Sequence, residues 1–180
     1  MPGINPKPFP YLLTERLQLR QLSISDAAEI LFLRSDEKVN EFVDRPNAKT
    51  IDDAKNFIKK IIVENDGLFY WAIALKNTNT LIGTICLWNI SVENNTAEIG
   101  YELNPVFQGK GIMQEAVSVV IKFAFEDLKL KAITAFPNIH NEKSIQLLTR
   151  NNFILDIDLK YQNEEVLDEY VCYFLESSIQ

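Results

Sequence analysis

Histidine occurs once in the 180 residues and cysteine twice, and these scarcities exclude a good deal of chemistry. Cys86 and Cys172 stand far apart without CxxC spacing, which argues against a disulfide framework or a zinc site and fits a reducing, cytoplasmic setting. Cys86 lies in "LIGTICLWNI", an apolar run that reads as a buried strand, and lacks a nearby base, so it reads as core filling. His140 sits in a loop, where an imidazole is ordinarily solvated. Long apolar runs are also lacking, so no transmembrane helix is expected. The opening "MPGINPKPFPYLL" puts prolines where a secretory signal needs a continuous apolar segment, and no targeting segment is expected. Basic charge is not in surplus either. The net charge of −7 disfavours binding of nucleic acid or an anionic membrane through a global field, and mildly favours a cationic substrate.

What is present suits a single globular domain over residues 1–180: 47% hydrophobic and 24% charged residues, enough to bury one core without staples. "ERLQLRQL" alternates Leu17, Leu19 and Leu22 against polar residues and predicts a strand. "SISDAAEILFLRS" predicts a helix capped by Ser25, and "TIDDAKNFIKKIIVEN" a second, opened by Thr50 and Asp53 in capping-box spacing. After "ENDG" the period changes. "FYWAIAL", "LIGTICLWNI" and "TAEIGYEL" read as strands joined by links short enough for antiparallel hairpins, with Trp71 and Trp88 assigned to the core. An apolar helix from Gly111 to Leu128, a strand "KAITAF", a helix "NEKSIQLLTRNN" and a closing pair "FILDIDLKYQ" and "EYVCYFLE" complete the chain. The order βααβββαβαββ implies an α+β domain. Its seven-stranded sheet is mostly antiparallel, with strands four and five parallel across a right-handed helical crossover and helices on both faces.

The glycines of "NPVFQGKGIMQEA" (104–116) mark a close backbone approach at the entry to the long helix. A phosphate loop needs GxxxxGK[ST], but Lys110 is followed by Gly111 and the earlier glycine position holds Asn104. The dinucleotide fingerprint fails as well, since its third glycine position is Gln114 and the preceding strands form a meander. A general reading survives: unhindered amides and the positive end of a helix dipole favour an anion, with Lys110 adding charge. A plain tight turn capping a core helix accounts for the same residues.

The stretch "AEIGYELNPVFQGKGIMQEA" resembles the acetyl-CoA-binding segment of the GNAT N-acetyltransferases. That family's Q/R-x-x-G-x-G/A pattern is met by Gln108 and Gly111, with Met113 in place of a small residue. "NIHNEKSIQLL" resembles the second cofactor segment, with Asn138, Asn141 and Ser144 in register, and "LLTERLQLRQLSISDAAEI" is similar to the ribosomal-protein N-terminal acetyltransferase branch. Asn152 stands where relatives carry glycine, and Leu148 where many carry an acid tyrosine.

The resemblance implies acetyl-CoA as cosubstrate and no metal. The backbone of Gln108, Gly109, Lys110, Gly111, Ile112 and Met113 would cradle the diphosphate. Pantetheine would lie between diverging strands along Tyr101 to Leu103, near Asn138, Asn141 and Ser144. The acceptor would be a primary amine, possibly a protein α-amino group; a small polyamine or antibiotic, or a non-catalytic acyl-CoA sensor, are the alternatives. The protein would be a monomer or homodimer. Deprotonation is necessary, because an amine of pKa about 10 is neutral in only about one molecule per thousand at pH 7. Strand parity puts Glu98, Gly100 and Glu102 on one face, and Glu98 is the expected base with Glu102 in reserve. Ser144 is the expected acid by likeness to the branch, and "EFVDRPN" would border the acceptor cleft, with Asp44 and Arg45 expected to be solvated at the surface rather than to select substrate.

Overall fold

The computed structural model describes residues 8–63, 67–158, 160–161 and 169–178. A two-residue strand β1 (Leu12–Leu13) precedes β2 (Leu17–Gln21), followed by α1 (Ala27–Ser35), a single turn α2 (Glu37–Asn40) and α3 (Ile51–Val63). A meander of β3 (Phe69–Leu75), β4 (Leu81–Ser91) and β5 (Thr96–Leu103) leads into α4 (Ile112–Glu126). Then come β6 (Ala132–Ala135), α5 (Glu142–Arg150), β7 (Ile154–Leu155) and β8 (Tyr173–Glu176). One sheet runs β1-β2-β3-β4-β5-β6-β8-β7, antiparallel throughout except where β5 meets β6.

Among the described residues the sheet therefore has eight strands, not seven, because the chain before "ERLQLRQL" folds back to pair Leu12 with Leu19. The expected strand over "FILDIDLKYQ" is only Ile154–Leu155: beyond it Asp156 accepts from the backbone N–H groups of Lys160 and Tyr161 and bends the chain away, and the rest lies outside the described residues. Ser25 is not the cap of α1. Ser23 and Asp26 form a reciprocal capping box around a 3₁₀ turn, and Asp26 is gripped by Arg20 through two hydrogen bonds of 2.7 and 2.8 Å. The box at α3 forms as expected, Asp53 N–H donating to Thr50 and Thr50 N–H to Asp53.

Strand alternation splits the interior into two layers. Leu17, Leu19, Trp71, Ile73, Ile85, Leu87 and Ile99 pack under α4 and α5, where Ala116, Val117, Val120 and Leu148 are fully buried. Leu81 and Ala72 pack under α1 and α3 with Ile30, Leu33, Ala54 and Ile58. Strand β5 thus presents one side chain set to each layer.

Candidate active site

Strand β5 is paired along its whole length on one edge and along less than half on the other. Toward β4 its partners run from Ser91↔Thr96 to Gly83↔Leu103. Toward β6 the parallel ladder stops after Thr96↔Ala132, Ala97↔Ile133 and Glu98↔Thr134. Past Glu98 the strands part, leaving the edge of residues 99–103 without a strand partner, its Leu103 carbonyl taken by the Gln108 side chain. Such an edge carries unpaired amide donors and acceptors that an extended ligand can meet.

The two faces of β5 at this opening carry different chemistry. On the α1–α3 face, burial pushes the Glu98 carboxyl up to about 7, with hydrogen bonds from Asn89 and Trp88 working the other way. Asn89 reaches Glu98 because β4 bulges between Trp88 and Ser91, with Asn89 at φ +49°. Gly100 leaves the floor beside Glu98 low, since a Cβ there would lie 3.2 Å from the Cys86 sulfur. Trp88, assigned to the core from sequence, is instead 45% exposed, where the register between β4 and β5 shifts between Trp88 and Ser91. Cys86 is half-buried, and burial raises its thiol to about 12, which leaves it inert as a nucleophile.

Glu102, on the same face as Glu98, has a different setting. Its carboxylate takes a 2.5 Å ion pair from Arg45 and a 3.0 Å hydrogen bond from Thr84, whose hydroxyl in turn meets Tyr70. Arg45 also holds Asn40 and the Leu33 carbonyl. Arg45 is therefore a half-buried strut between the α2–α3 link and β5 rather than a solvated rim residue, while Asp44 is exposed.

On the opposite face, Tyr101 reaches across the opening to α5, its hydroxyl 2.8 Å from the Ser144 hydroxyl. Burial pushes the Tyr101 phenol up to about 12, the Ser144 contact opposing it. Leu148, where a tyrosine acid would stand, is fully buried. The phenol near Ser144 comes from the strand instead, a contact between residues far apart in sequence that no local pattern marks.

The loop from β5 to α4 is shaped by two left-handed glycines, Gly109 at φ +71° and Gly111 at φ +72°. Gly111 caps α4 without any side-chain hydrogen bond, so the first-turn N–H groups are left to an external acceptor. A Cβ at Gly109 would meet nothing within 4 Å, and one at Gly111 only Arg16, at 3.5 Å. The Gln108 side chain folds back to donate to the Leu103 carbonyl (3.2 Å), and the Lys110 ammonium donates to the Val106 carbonyl (2.9 Å). Both side chains brace the loop, while Ile112 is buried and Met113 half-buried against the core.

Asn138 and Asn141 shape the chain between β6 and α5. Asn138 accepts from His140 N–H and bridges Tyr170, and Asn141 caps α5 by accepting from Ser144 N–H at 3.1 Å. Asn152 adopts φ +63°, the left-handed conformation for which asparagine is the next-best residue after glycine.

The family model described as an acetyltransferase (GNAT) domain matches residues 16–154. An uncharacterized N-acetyltransferase of Bacillus subtilis, YoaA, is 33% identical over 166 residues, 91% of this chain and 89% of its own. The ribosomal-protein-serine acetyltransferase of Escherichia coli is 38% identical over 90 residues, 50% of each chain. The solved spermidine N-acetyltransferase of Vibrio cholerae, in complex with CoA and spermine, superposes with a TM-score of 0.77 at 20% identity, covering 92% of this chain and 98% of its own; that likeness is one of fold.

Proposed function

The chain belongs to the GNAT family of acetyltransferases, and from that premise we propose that it moves the acetyl group of acetyl-CoA to a single primary amine, a protein α-amino group foremost. The observation that carries this reading is the opening beside β5, with Glu98 on one face and the Tyr101–Ser144 pair on the other.

The glycine loop would hold the diphosphate through the amides of residues 108–113, and the open edge at Tyr101 to Leu103 would pair with pantetheine. Acetyl-CoA supplies the activated acyl group. Glu98 takes a proton from the incoming ammonium, directly or through water, which a carboxylate near neutral pKa can both accept and release. The amine nitrogen then bonds to the acyl carbon, and a strand N–H steadies the charge developing on the acyl oxygen. As the carbon–sulfur bond breaks, the nitrogen sheds its second proton and Ser144, oriented by the Tyr101 hydroxyl, relays it to the sulfur, passing one proton on and taking one up so that its own hydroxyl is restored. Base and acid work from opposite faces of the sheet, so neither neutralises the other.

Charge on the acceptor side supports a monoamine. Of the two carboxylates that β5 places on this face, Glu102 is already paired with Arg45, which leaves Glu98 for one ammonium. The likeness to an enzyme named for a ribosomal protein, and Leu148 in place of tyrosine, weigh the same way. Mass spectrometry of products from acetyl-CoA with N-terminal peptides, ribosomal proteins, polyamines and lysate metabolites tests the reading. Acetylated α-amino groups are expected. Acetylated polyamine alone overturns the acceptor class, and thiol release that no amine accelerates overturns transfer altogether in favour of an acyl-CoA sensor.

A further inference from the structure

Outside the opening, a carboxylate stands in the first turn of α4, immediately beside the glycine loop. Glu115 belongs to the turn whose N–H groups would face the diphosphate, and an uncompensated negative charge there opposes any anion. The fold does not leave it uncompensated. The turn between β1 and β2 delivers Thr14 and Arg16 onto it: Thr14 donates its hydroxyl to Glu115 Oε1, Arg16 donates its backbone N–H to the same oxygen at 2.8 Å, and Arg16 Nε donates to Oε2 at 2.7 Å. Both carboxylate oxygens are turned to the N-terminal hairpin.

The same guanidinium also grips the loop. Arg16 Nη1 donates to the Lys110 carbonyl at 2.9 Å, and Nη2 lies 3.5 Å from the position a Cβ would take on Gly111. In a trans peptide the C=O and the following N–H point oppositely, so fixing the Lys110 carbonyl on Arg16 turns the Gly111 N–H away from it. One side chain thus orients a loop peptide and neutralises the charge behind it. The turn is held for this task, since Thr14 and Leu17 exchange backbone and hydroxyl hydrogen bonds across it. Arg16 falls in "ERLQLRQL", read from sequence as a strand, and Thr14 just before it; neither reads there as touching the glycine loop.

We propose that Arg16 is a positioning residue for coenzyme diphosphate binding: it neutralises Glu115 and sets the Lys110–Gly111 peptide, so that the loop accepts an anion that Glu115 would otherwise repel. The inference rests on the coenzyme reading given above and adds to it a named electrostatic device.

Calorimetric titration of CoA into the wild type, Arg16→Gln, Glu115→Gln and the double variant at low ionic strength tests it, with ligand-free melting temperatures as a check on folding. Arg16→Gln is expected to bind CoA about tenfold more weakly, Glu115→Gln at least as tightly as wild type, and the double variant to recover most of the loss, as removal of a repelling charge predicts. A purely structural clasp predicts the opposite for Glu115→Gln, since cutting the clasp from either side would weaken CoA alike. The proposal is overturned if Arg16→Gln binds within twofold of wild type, if Glu115→Gln weakens CoA threefold or more, or if the double variant binds as weakly as Arg16→Gln. Should Arg16→Gln fail to fold, the sign of the Glu115→Gln change decides. Wild-type protein that gives no heat with CoA sinks the coenzyme reading itself, an outcome separate from all of these.

Discussion

Glu98 and Glu102 lie on one face of one strand, four residues apart, and the structure treats them oppositely. The inner end of β5 is roofed by α1 and the α2–α3 link, and there Glu102 is locked to Arg45 and Thr84. The outer end is bordered by the β4 bulge and an exposed indole, and there Glu98 keeps company with neutral Asn89 and Trp88. Identical side chains at matching parity become a strut and a titrating group. What lies opposite decides the role: Glu102 meets a guanidinium that holds it in place, while at Glu98 desolvation favours the protonated form.

The largest effect should come from breaking the outer end. Glu98→Gln is expected to lower kcat about a hundredfold, within the usual range for loss of a general base. In wild type, kcat should fall as pH drops through about 7, because the carboxyl there becomes protonated, and Glu98→Gln should lack that limb. The sign for stability runs the other way. A carboxyl raised from 4.5 to about 7 by folding contributes stability fully present below the lower value and lost as pH rises through the upper one. Melting temperatures of wild type should therefore decline relative to Glu98→Gln across that window; parallel curves would show that Glu98 is not desolvated.

Breaking the inner end should cost stability more than chemistry. Arg45→Met leaves Glu102 buried with Thr84 alone, a loss of about 3 kcal/mol, or roughly 6–12 °C in melting temperature for a domain of this size. Arg45→Met/Glu102→Gln should recover most of it. If the single variant melts with wild type, Arg45 is not the strut described. The smallest effect should come from the opposite face: Tyr101→Phe keeps Ser144 but removes its partner, and kcat should fall about three- to tenfold, a hydrogen bond's worth, with the KM for acetyl-CoA little changed. A rise in that KM with kcat intact would reassign Tyr101 to binding.

Much of this arrangement is legible locally. The Thr50–Asp53 box, the meander, the long apolar helix and the left-handed Asn152 follow from spacing and backbone preference. Parity along "TAEIGYEL" separates Glu98 from Tyr101 before any fold is known. Other features need contacts distant in sequence. Trp88 looks like core because it sits in an apolar strand, yet it lies at a bulge and is exposed. Arg45 looks like a solvated loop cation until Glu102, 57 positions on, is found against it. Arg16 and Glu115 are 99 positions apart.

Sequence alone determined most of the elements, the glycine loop and the face on which each β5 side chain falls, since these depend on residue conformation and on the period of two within a strand. Tertiary structure alone decided which carboxylate is paired, which indole is exposed and which hydroxyl reaches Ser144. Those depend on which distant side chain arrives within a few ångströms, and Coulombic and hydrogen-bond energies are set by that distance and by the water it excludes.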